Sequence, residues 1–564
     1  MAYLALAPPS SPDVTFNPMK ELTNLKVHRV TNSNDGGIFP PPATCRFDQL
    51  MSKYGLPAAV LCSTPIHILN DDVLLNIFYL CKPQLLNEDE VDTAPILQGG
   101  EWIRERWWYK IAQVCRRWRY LILTSPSHLG LCLVCTYDTP VEDMLAHSPP
   151  LPIILDYVDD SRRVSTEDEE GILLALQHRD RVRRIRLHMP VQDLQRLIVA
   201  IHDEFPMLEY LFIEPLCRHR RGLILPQTFR APHIRYLILS NFAFSIGSPL
   251  LTTPMDLVTL SLQNIHPYVY FHPNALLQRL PLMPLLETLQ IAFHSLPTHD
   301  IQMQLLDTPI TTHVTLPNLR WFAFGGTNTY LETLLPWMTT PLLERLQIKF
   351  VHQLTFSVPR LLQFMNTAEN LRFGSAMLAF YNEFISMRVY PHKGARMYAF
   401  YLQVTCKQRA WQVASAAQLF NALRTVFSTV EDLTLEYWGS LEWHDEADRM
   451  RWHELLRPFS NVKSLHVDNG LVRVLSRFLQ TDDGESPLEL LPELKELSYI
   501  PMDDLCDIFT PFINARQNAG HPVTLIRYNF ENFCGERRVR RAAAVEAWRE
   551  ATIFENIIVA TLFS

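Results

Sequence analysis

The sequence has little glycine and lacks the glycine-containing motifs of several common enzyme classes. Only 18 of its 564 residues are glycine. It contains neither a G-x-G-x-x-G loop nor a Walker-type phosphate loop, and no G-x-S-x-G nucleophile elbow occurs. These absences argue against a dinucleotide-binding enzyme, a P-loop NTPase and an α/β-type serine hydrolase.

Cysteine pairs and a strong charge of either sign are also missing. Among ten cysteines only Cys132 and Cys135 have a chelating spacing, and no second pair completes a zinc site. Glu442, His444 and Glu446 form a polar stretch without further ligands. We therefore expect no metal and no cofactor, and reduced thiols. The net charge of -8 is mild for this length and gives no reason to expect nucleic acid.

Long apolar runs are absent as well. No run approaches the roughly 20 residues that span a bilayer, and the N-terminus lacks the basic start of a secretion signal. These features predict no membrane partner and a cytoplasmic or nuclear location, or both. Residues 1–60 are rich in Pro, Ser, Thr and Asn without an apolar period, which predicts a disordered leader.

Two amphipathic helices are predicted within residues 61–130. The first has apolar side chains at helical spacing at Val73, Leu74, Ile77 and Phe78. The second has them at Ile111, Val114, Cys115, Trp118 and Leu121. Such short helices are marginal alone, so their apolar faces need a partner. That partner is either the chain's own core or another polypeptide.

These two segments together resemble an F-box. The Val-Cys-Arg-Arg-Trp sequence of Val114 to Trp118 carries the most specific part of the resemblance. The chain departs from the family pattern at Asn70, where the family usually has proline, and in an acidic insert at about residues 82–104. Long inserts of this kind resemble those of F-box proteins from higher fungi. The insert is predicted to be a solvated loop or an extra contact with a partner.

The resemblance implies a partner for the helix pair. An F-box docks on a Skp-type adaptor within a cullin-containing ubiquitin ligase, and the chain itself then needs no catalytic residue. The adaptor-binding residues implied by the resemblance are Leu69, Val73, Leu74, Ile77, Phe78, Val114, Cys115, Trp118 and Leu121.

A second pattern recurs through the rest of the chain. It reads apolar, two residues, apolar, one residue, apolar, and its copies are 23 to 33 residues apart. The copies begin at Val182, Leu208, Ile234, Leu257, Leu286, Leu319, Leu343, Ala368, Met397, Val430, Val462, Leu494 and Val523, the eighth and ninth being weak. Helical apolar stripes lie between several of them, as in the stretch from Leu194 to Ile201.

This strand-turn-helix period resembles a divergent leucine-rich repeat. The expected fold class is α/β, with a short all-α F-box followed by a solenoid over residues 131–532 and a helical cap over residues 533–564. The cap begins with an arginine cluster at Arg537 to Arg541 that could also serve nuclear import. A doubly wound enzyme fold is the alternative, but it rarely sustains about a dozen copies and normally has a phosphate loop.

The residues between the apolar positions are predicted to face solvent, because side chains alternate along a strand. Exposed aromatic residues near arginine are typical of protein interfaces, whereas the alternative is that they only stack on one another. The predicted target-binding residues are Arg184, Arg186, Tyr210, Phe212, Tyr236, Trp321, Arg345, Gln347 and Lys349. His466 and Asp468 share a strand face, but the sequence identifies no nucleophile beside them.

These observations predict the non-enzymatic substrate-recognition subunit of a Skp–cullin–F-box ubiquitin ligase. The helix pair would bind the adaptor, and the repeats would hold a target protein of unknown identity. Two alternatives stay open. The chain could be an interaction scaffold that binds the adaptor without assembling with cullin, or an enzyme of unrecognised class with a deep polar pocket.

Overall fold

A computed structural model describes residues 69–81, 107–158, 164–216, 222–243, 245–266, 269–294, 309–351, 355–406, 409–438, 449–479, 488–499 and 508–527. The chain divides into two units after Asn70, and all elements below belong to the unit that starts at Asp71. The predicted leader and cap lie outside the described residues, as do the whole acidic insert and the Glu442–Glu446 stretch.

Eighteen strands lie in the described part of the chain. They are β1 Leu133–Cys135, β2 Ile153–Val158, β3 Val182–Met189, β4 Tyr210–Pro215, β5 Tyr236–Ser240, β6 Thr259–Ile265, β7 Thr288–Phe293, β8 Val314–Thr315, β9 Trp321–Gly326, β10 Met338–Thr339, β11 Arg345–Phe350, β12 Ser375–Phe380, β13 Phe384–Tyr390, β14 Phe400–Thr405, β15 Asp432–Tyr437, β16 Ser464–Val467, β17 Glu496–Tyr499 and β18 Thr524–Arg527.

Helices connect many of these strands. They are α1 Asp71–Cys81, α2 Trp107–Ala112, α3 Arg116–Thr124, α4 Pro126–Leu129, α5 Val141–His147, α6 Thr166–Gln177, α7 Val191–Ile198, α8 Pro249–Thr252, α9 Pro273–Leu277, α10 Asn328–Leu334, α11 Pro359–Thr367, α12 Arg409–Ala422, α13 Arg424–Phe427, α14 Arg449–Leu456, α15 Asn469–Leu479 and α16 Thr510–Asn518. Short 3-10 turns occupy Leu280–Leu282 and Leu335–Trp337.

The fold is mixed α/β with one large, mainly parallel sheet. Sixteen of the described strands form it in the order β1-β2-β3-β4-β5-β6-β7-β9-β11-β14-β13-β12-β15-β16-β17-β18, while β8 and β10 pair separately. Strand β13 alone among these sixteen runs antiparallel to its neighbours, β12 and β14. The chain therefore passes from β11 to the distant β12 and returns through β13 to β14.

The apolar triads form one face of this sheet. In the copy at Leu208, Leu211 and Ile213, all three side chains are fully buried. Helices cover this face, as shown by the ring contacts of Phe322 with Phe364 in α11. Burying such side chains stabilises the fold by about 1.5–3 kcal/mol each. The opposite face of the sheet has mainly polar and aromatic side chains, and we call it the polar face.

Charged residues alternate at the amino ends of successive strands. The backbone N–H of Glu209 donates to the carbonyl of Arg183 and that of Arg235 to Glu209; beyond the apolar Val258, the N–H of Arg320 donates to Glu287 and that of Glu344 to Arg320. Side-chain ion pairs join Arg183 to Glu209 and Arg320 to Glu344. Opposite charges on adjacent strands favour this pairing register over a shifted one.

The structure corrects three expectations. The copy at Ala368 does not form a strand at its apolar positions, because β12 begins only at Ser375. Strand β13 matches no copy of the pattern. Units are also less regular than a uniform strand-turn-helix period, since β4 and β5 are connected through turns and isolated bridges in the described residues, without a helix.

Candidate functional site

The first candidate surface is formed by α1 and by the second predicted helix, which the structure divides into α2 and α3. We call α1 to α3 the helix pair. Phe78 in α1 contacts Trp118 in α3 edge to face, with ring centroids 4.9 Å apart. Arg117 donates from Nε and Nη2 to Oδ1 of Asp71 at 3.1 and 2.6 Å. This ion pair is largely exposed and contributes little to stability by itself. Its main effect is to orient α3 against α1.

The second predicted helix is broken in two. Cys115 has extended backbone angles, and its Sγ accepts a hydrogen bond from the backbone N–H of Trp118 at 3.4 Å. The thiol thus caps α3, and the turn at Gln113 and Val114 ends α2. The expectation that one continuous helix runs from Ile111 to Leu121 is therefore wrong, because Val114 and Cys115 lie between two helices. Both are exposed.

Burial divides the predicted adaptor-binding residues into three groups. Leu74, Phe78 and Leu121 are buried against their own chain. Leu69, Ile77 and Trp118 are half-buried. Val73, Val114 and Cys115 are exposed.

Further large side chains join the exposed group. Tyr79 and Leu80 are each 54% exposed, and Tyr120 is 68% exposed. Sequence reasoning missed these three because they lie outside the apolar stripe of their helices. The helix pair therefore has a small internal core and a separate exposed apolar surface. Such a surface is typical of protein contacts rather than of catalysis.

The second candidate surface is a single row across the polar face. Strand register places its seven members directly side by side on seven adjacent strands, from β3 to β11. All seven are half-buried. We call this the aromatic row, and its members in order are Arg184, Tyr210, Tyr236, Thr259, Thr288, Trp321 and Arg345.

Cation–π and ring contacts organise both ends of the aromatic row. The Arg184 guanidinium lies 5.5 Å from the Tyr210 ring centroid, and Tyr210 lies 5.7 Å from Tyr236. At the other end Arg345 lies 5.0 Å from the Trp321 ring. The rings hold the arginines in fixed orientations over the sheet. Five predicted target-binding residues are thus brought into one row, and the ring stacking that was the alternative to ligand binding is also present.

The other four predicted target-binding residues lie deeper. Arg186, Phe212, Gln347 and Lys349 are all buried, so the expectation that they face solvent is wrong. Arg186, Phe212 and Gln347 lie two residues beyond the row members of β3, β4 and β11, and Lys349 lies four residues beyond Arg345. In such a wide sheet, side chains on adjacent strands cover the middle more completely than the margins. A sequence pattern within one strand does not reveal this cover.

A buried ion pair lies at one end of this deeper region. Arg186 Nη1 donates to Asp156 Oδ2 at 3.1 Å. Burial raises the pKa of Asp156 above its ordinary value, although Arg186 and Arg184 act in the opposite direction. Since a buried pair is costly to break, we assign Arg186 a structural role beside the more accessible Arg184.

Amides and hydroxyls fill the centre of the polar face. Ser261, Gln263 and Gln290 hydrogen-bond to one another at 2.9 to 3.2 Å. Tyr398 donates to Gln347 Oε1 at 3.0 Å. The first three residues join β6 to β7 by neutral hydrogen bonds, and Tyr398, which precedes β14, bonds to β11 in the same way.

The structure places a serine beside His466 that the sequence did not identify. Ser498 lies opposite His466 in the adjacent strand, with Oγ 3.0 Å from Nδ1. However, Ser498 is buried and donates to the carbonyl of Leu465. Asp468 accepts from the backbone N–H groups of Asn469 and Tyr437. These bonds are those of a structural contact, with the aspartate engaged at the start of α15.

No group of His, Cys, Asp or Glu side chains suited to a metal ion occurs among the described residues. Likewise, none of the helices that the structure describes has the length and hydropathy to cross a membrane. Comparison with protein-family models and with curated proteins finds no match to this chain. The two surfaces described above are therefore the features of the described residues that bear on function.

Proposed function

We propose that this protein is the substrate-recognition subunit of a Skp–cullin–F-box ubiquitin ligase. In this proposal the sheet is a leucine-rich-repeat-like array, the helix pair binds a Skp-type adaptor, and the aromatic row contacts a target protein. The contribution of the chain is proximity, because holding both partners raises the effective concentration of target lysines near the transferring enzyme.

The observation that carries the proposal is the exposed apolar surface of the helix pair. Val73 is 41% exposed and Val114 is 59% exposed, although both belong to the F-box-like pattern. Phe78, which is buried, and Trp118, which is half-buried, hold α1 and α3 together by their ring contact. Short helices with a small core and an uncovered apolar surface gain stability when a second polypeptide covers them.

The test is a pull-down of a purified Skp-type adaptor by the full chain. Val73→Asp and Val114→Asp together place charge on the exposed surface without entering the core, so we expect folding to be kept and adaptor capture to be lost. Met255→Asp is the matched control, because Met255 is equally apolar, 71% exposed and located before β6. Wild-type chain that fails to capture the adaptor, or a double variant that still captures it, would contradict the proposal.

A further inference from the structure

Three hydrogen-bond donors lie together at the β11 end of the aromatic row. The strand register places Trp321 beside Arg345 and Ala323 beside Gln347, on the adjacent strands β9 and β11. Alternate residues of a strand share one face and lie about 6.6 Å apart, and neighbouring strands are about 4.8 Å apart. The four side chains therefore occupy the corners of one small patch on the polar face. We call this patch the donor niche.

Two nitrogen atoms of the donor niche are buried without an acceptor. Nε1 of Trp321 and Nε2 of Gln347 have no hydrogen-bond partner among the described residues. Gln347 is only 1% exposed, and its Oε1 accepts from Tyr398 at 3.0 Å, so its Nε2 points away from that hydroxyl. Buried donors in folded proteins nearly always have a partner. These two nitrogens therefore indicate an acceptor that the described residues do not supply.

Arg345 gives the donor niche its positive charge. Its guanidinium lies 5.0 Å from the ring centroid of Trp321 and 5.8 Å from that of Tyr398. The neighbouring carboxylate of Glu344 pairs with Arg320 instead. A guanidinium that stacks on rings through its face keeps N–H edges for bidentate contact with an oxyanion. Because Arg345 and Trp321 are only half-buried, a ligand can reach the niche from their side.

The strands around the donor niche contain no acidic residue. Eight strands that follow one another in the sheet, β5, β6, β7, β9, β11, β14, β13 and β12, have three basic residues and neither Asp nor Glu. Two of the three, Lys349 and Arg388, have contacts of their own with the Tyr401 ring. The donor niche itself contains only Arg345. This distribution of charge favours an anionic ligand over a cationic one.

We propose that the donor niche binds one carboxylate group of the target protein. The carboxylate oxygens accept from the guanidinium of Arg345, the indole N–H of Trp321 and the amide N–H of Gln347. A carboxylate suits this site because its single negative charge balances one arginine, whereas a phosphate dianion would leave one charge unbalanced in a buried site. This inference rests on the proposed function, since it names the group by which the receptor holds its target.

The indole N–H signals of the full chain, labelled at tryptophan for NMR, report this contact directly. The chain has 11 tryptophans, and Trp321→Phe identifies the signal of Trp321. The first probe is a short peptide with one glutamate and both ends blocked. The second has glutamine instead and a free carboxyl terminus, the third has glutamine and both ends blocked, and the fourth is inorganic phosphate. We expect a saturating downfield shift of the Trp321 proton with a carboxylate peptide, and the peptide that binds more tightly shows whether the carboxylate is a side chain or a chain terminus.

Variants of the donor niche locate the contact. Arg345→Gln should weaken carboxylate binding by on the order of ten-fold, as expected for loss of one charged contact. Gln347→Glu should weaken it by at least as much, because it replaces a donor with a negative charge. The matched control is Arg473→Gln, which removes the same charge from an exposed position of α15. Circular dichroism of each variant confirms that it folds.

The inference is overturned if no probe shifts the Trp321 signal or if the blocked glutamine peptide shifts it equally. It is also overturned if phosphate binds more tightly than both carboxylate peptides, or if Arg345→Gln binds like Arg473→Gln. These outcomes are independent of the adaptor, because the assay contains none. Adaptor capture without a carboxylate-dependent shift would reject this inference alone. A carboxylate-dependent shift without adaptor capture would reject the ligase assignment and leave the donor niche as a carboxylate site.

Discussion

Replacement of Arg516 by methionine should strongly destabilise the end of the sheet. Arg516 in α16 is fully buried. Its guanidinium donates to the carbonyls of Leu490, Leu491, Pro492 and Leu494 at distances from 2.9 to 3.4 Å. These four carbonyls belong to the turn that leads into β17. One side chain thus bonds to four carbonyls of a turn whose backbone also has a hydrogen bond from the N–H of Leu494 to the carbonyl of Leu491.

The turn depends on this side chain because its backbone is not in a relaxed conformation. Leu491 has a φ of 49°, in the left-handed region that residues other than glycine rarely adopt. Such a conformation persists when surrounding bonds over-determine it. Methionine has similar bulk but no donor, so Arg516→Met leaves the four carbonyls without this donor. An unsatisfied buried polar group costs about 1–3 kcal/mol, so the loss of several such bonds together is on the order of 3–5 kcal/mol.

Amide hydrogen exchange measures this loss locally, at the strand next to the turn. We expect the amides of Glu496–Tyr499 to exchange on the order of several hundred-fold faster in Arg516→Met, by conversion of that free energy. Arg477→Met is the control, because Arg477 is exposed on the neighbouring α15. A less than ten-fold change, or an equal change in the control, would refute the assigned role of Arg516.

Three further perturbations test other parts of the structure. The carboxylate of Glu332 accepts hydrogen bonds from the backbone N–H groups of Arg360 and Leu361, at the start of α11, at 2.8 and 2.9 Å. Glu332→Ala should therefore lower the free energy of unfolding in urea by about 1–2 kcal/mol. An unchanged unfolding midpoint would contradict this capping role. The exposed pair of Arg320 with Glu344 should show a coupling below about 1 kcal/mol in a double-mutant cycle, and a larger value would show that the series of charges acts cooperatively. Burial raises the pKa of Asp156 in the folded protein, so the folded protein binds a proton at this carboxyl more tightly than the unfolded chain does. The free energy of unfolding should therefore fall as the pH rises from the ordinary aspartate pKa through the raised pKa of Asp156. Asp156→Asn should remove this part of the pH dependence, and a slope identical to that of the wild type would count against it.

The regular part of the sheet was predictable because each strand repeats the same local pattern. The apolar positions of the copies at Leu208 and Leu319 are buried as expected, and their strands begin at Tyr210 and Trp321. Pro140 followed by Glu142 and Asp143 predicts the start of a short helix, and the structure has this helix at Val141–His147. In these segments local propensity and tertiary packing favour the same structure.

The irregular part was not predictable because it depends on pairing between distant strands. Phe384 to Tyr390 has strand-forming residues but no repeat pattern, and it becomes β13 only between β12 and β14. The turn that precedes β13 is held by Gln412, whose Nε2 donates to the carbonyls of Tyr381 and Asn382 at 3.2 Å. This contact is about 30 residues distant in sequence, beyond the reach of periodicity.

The candidate surfaces were predictable in residue type but not in exposure. Strand alternation correctly assigned Arg184 and Tyr210 to the face opposite the apolar triads, where they are half-buried. The same rule assigned Phe212 to that face, yet it is buried. The exposure of a side chain depends on the size of the side chains beside it on adjacent strands. Thr259 and Thr288 were identified as members of the aromatic row only from the strand register. In the helix pair, capping by Cys115 altered the expected face.

Hydrogen exchange of the full chain with and without a purified Skp-type adaptor tests the central claim most directly. The account predicts that added adaptor slows exchange of amides in α1 and α3, while amides of β3 to β11 are unchanged. Protection that falls on the strands instead of the helix pair, or no protection at saturating adaptor, would contradict the claim that the exposed surface around Val73 and Val114 is completed by that partner.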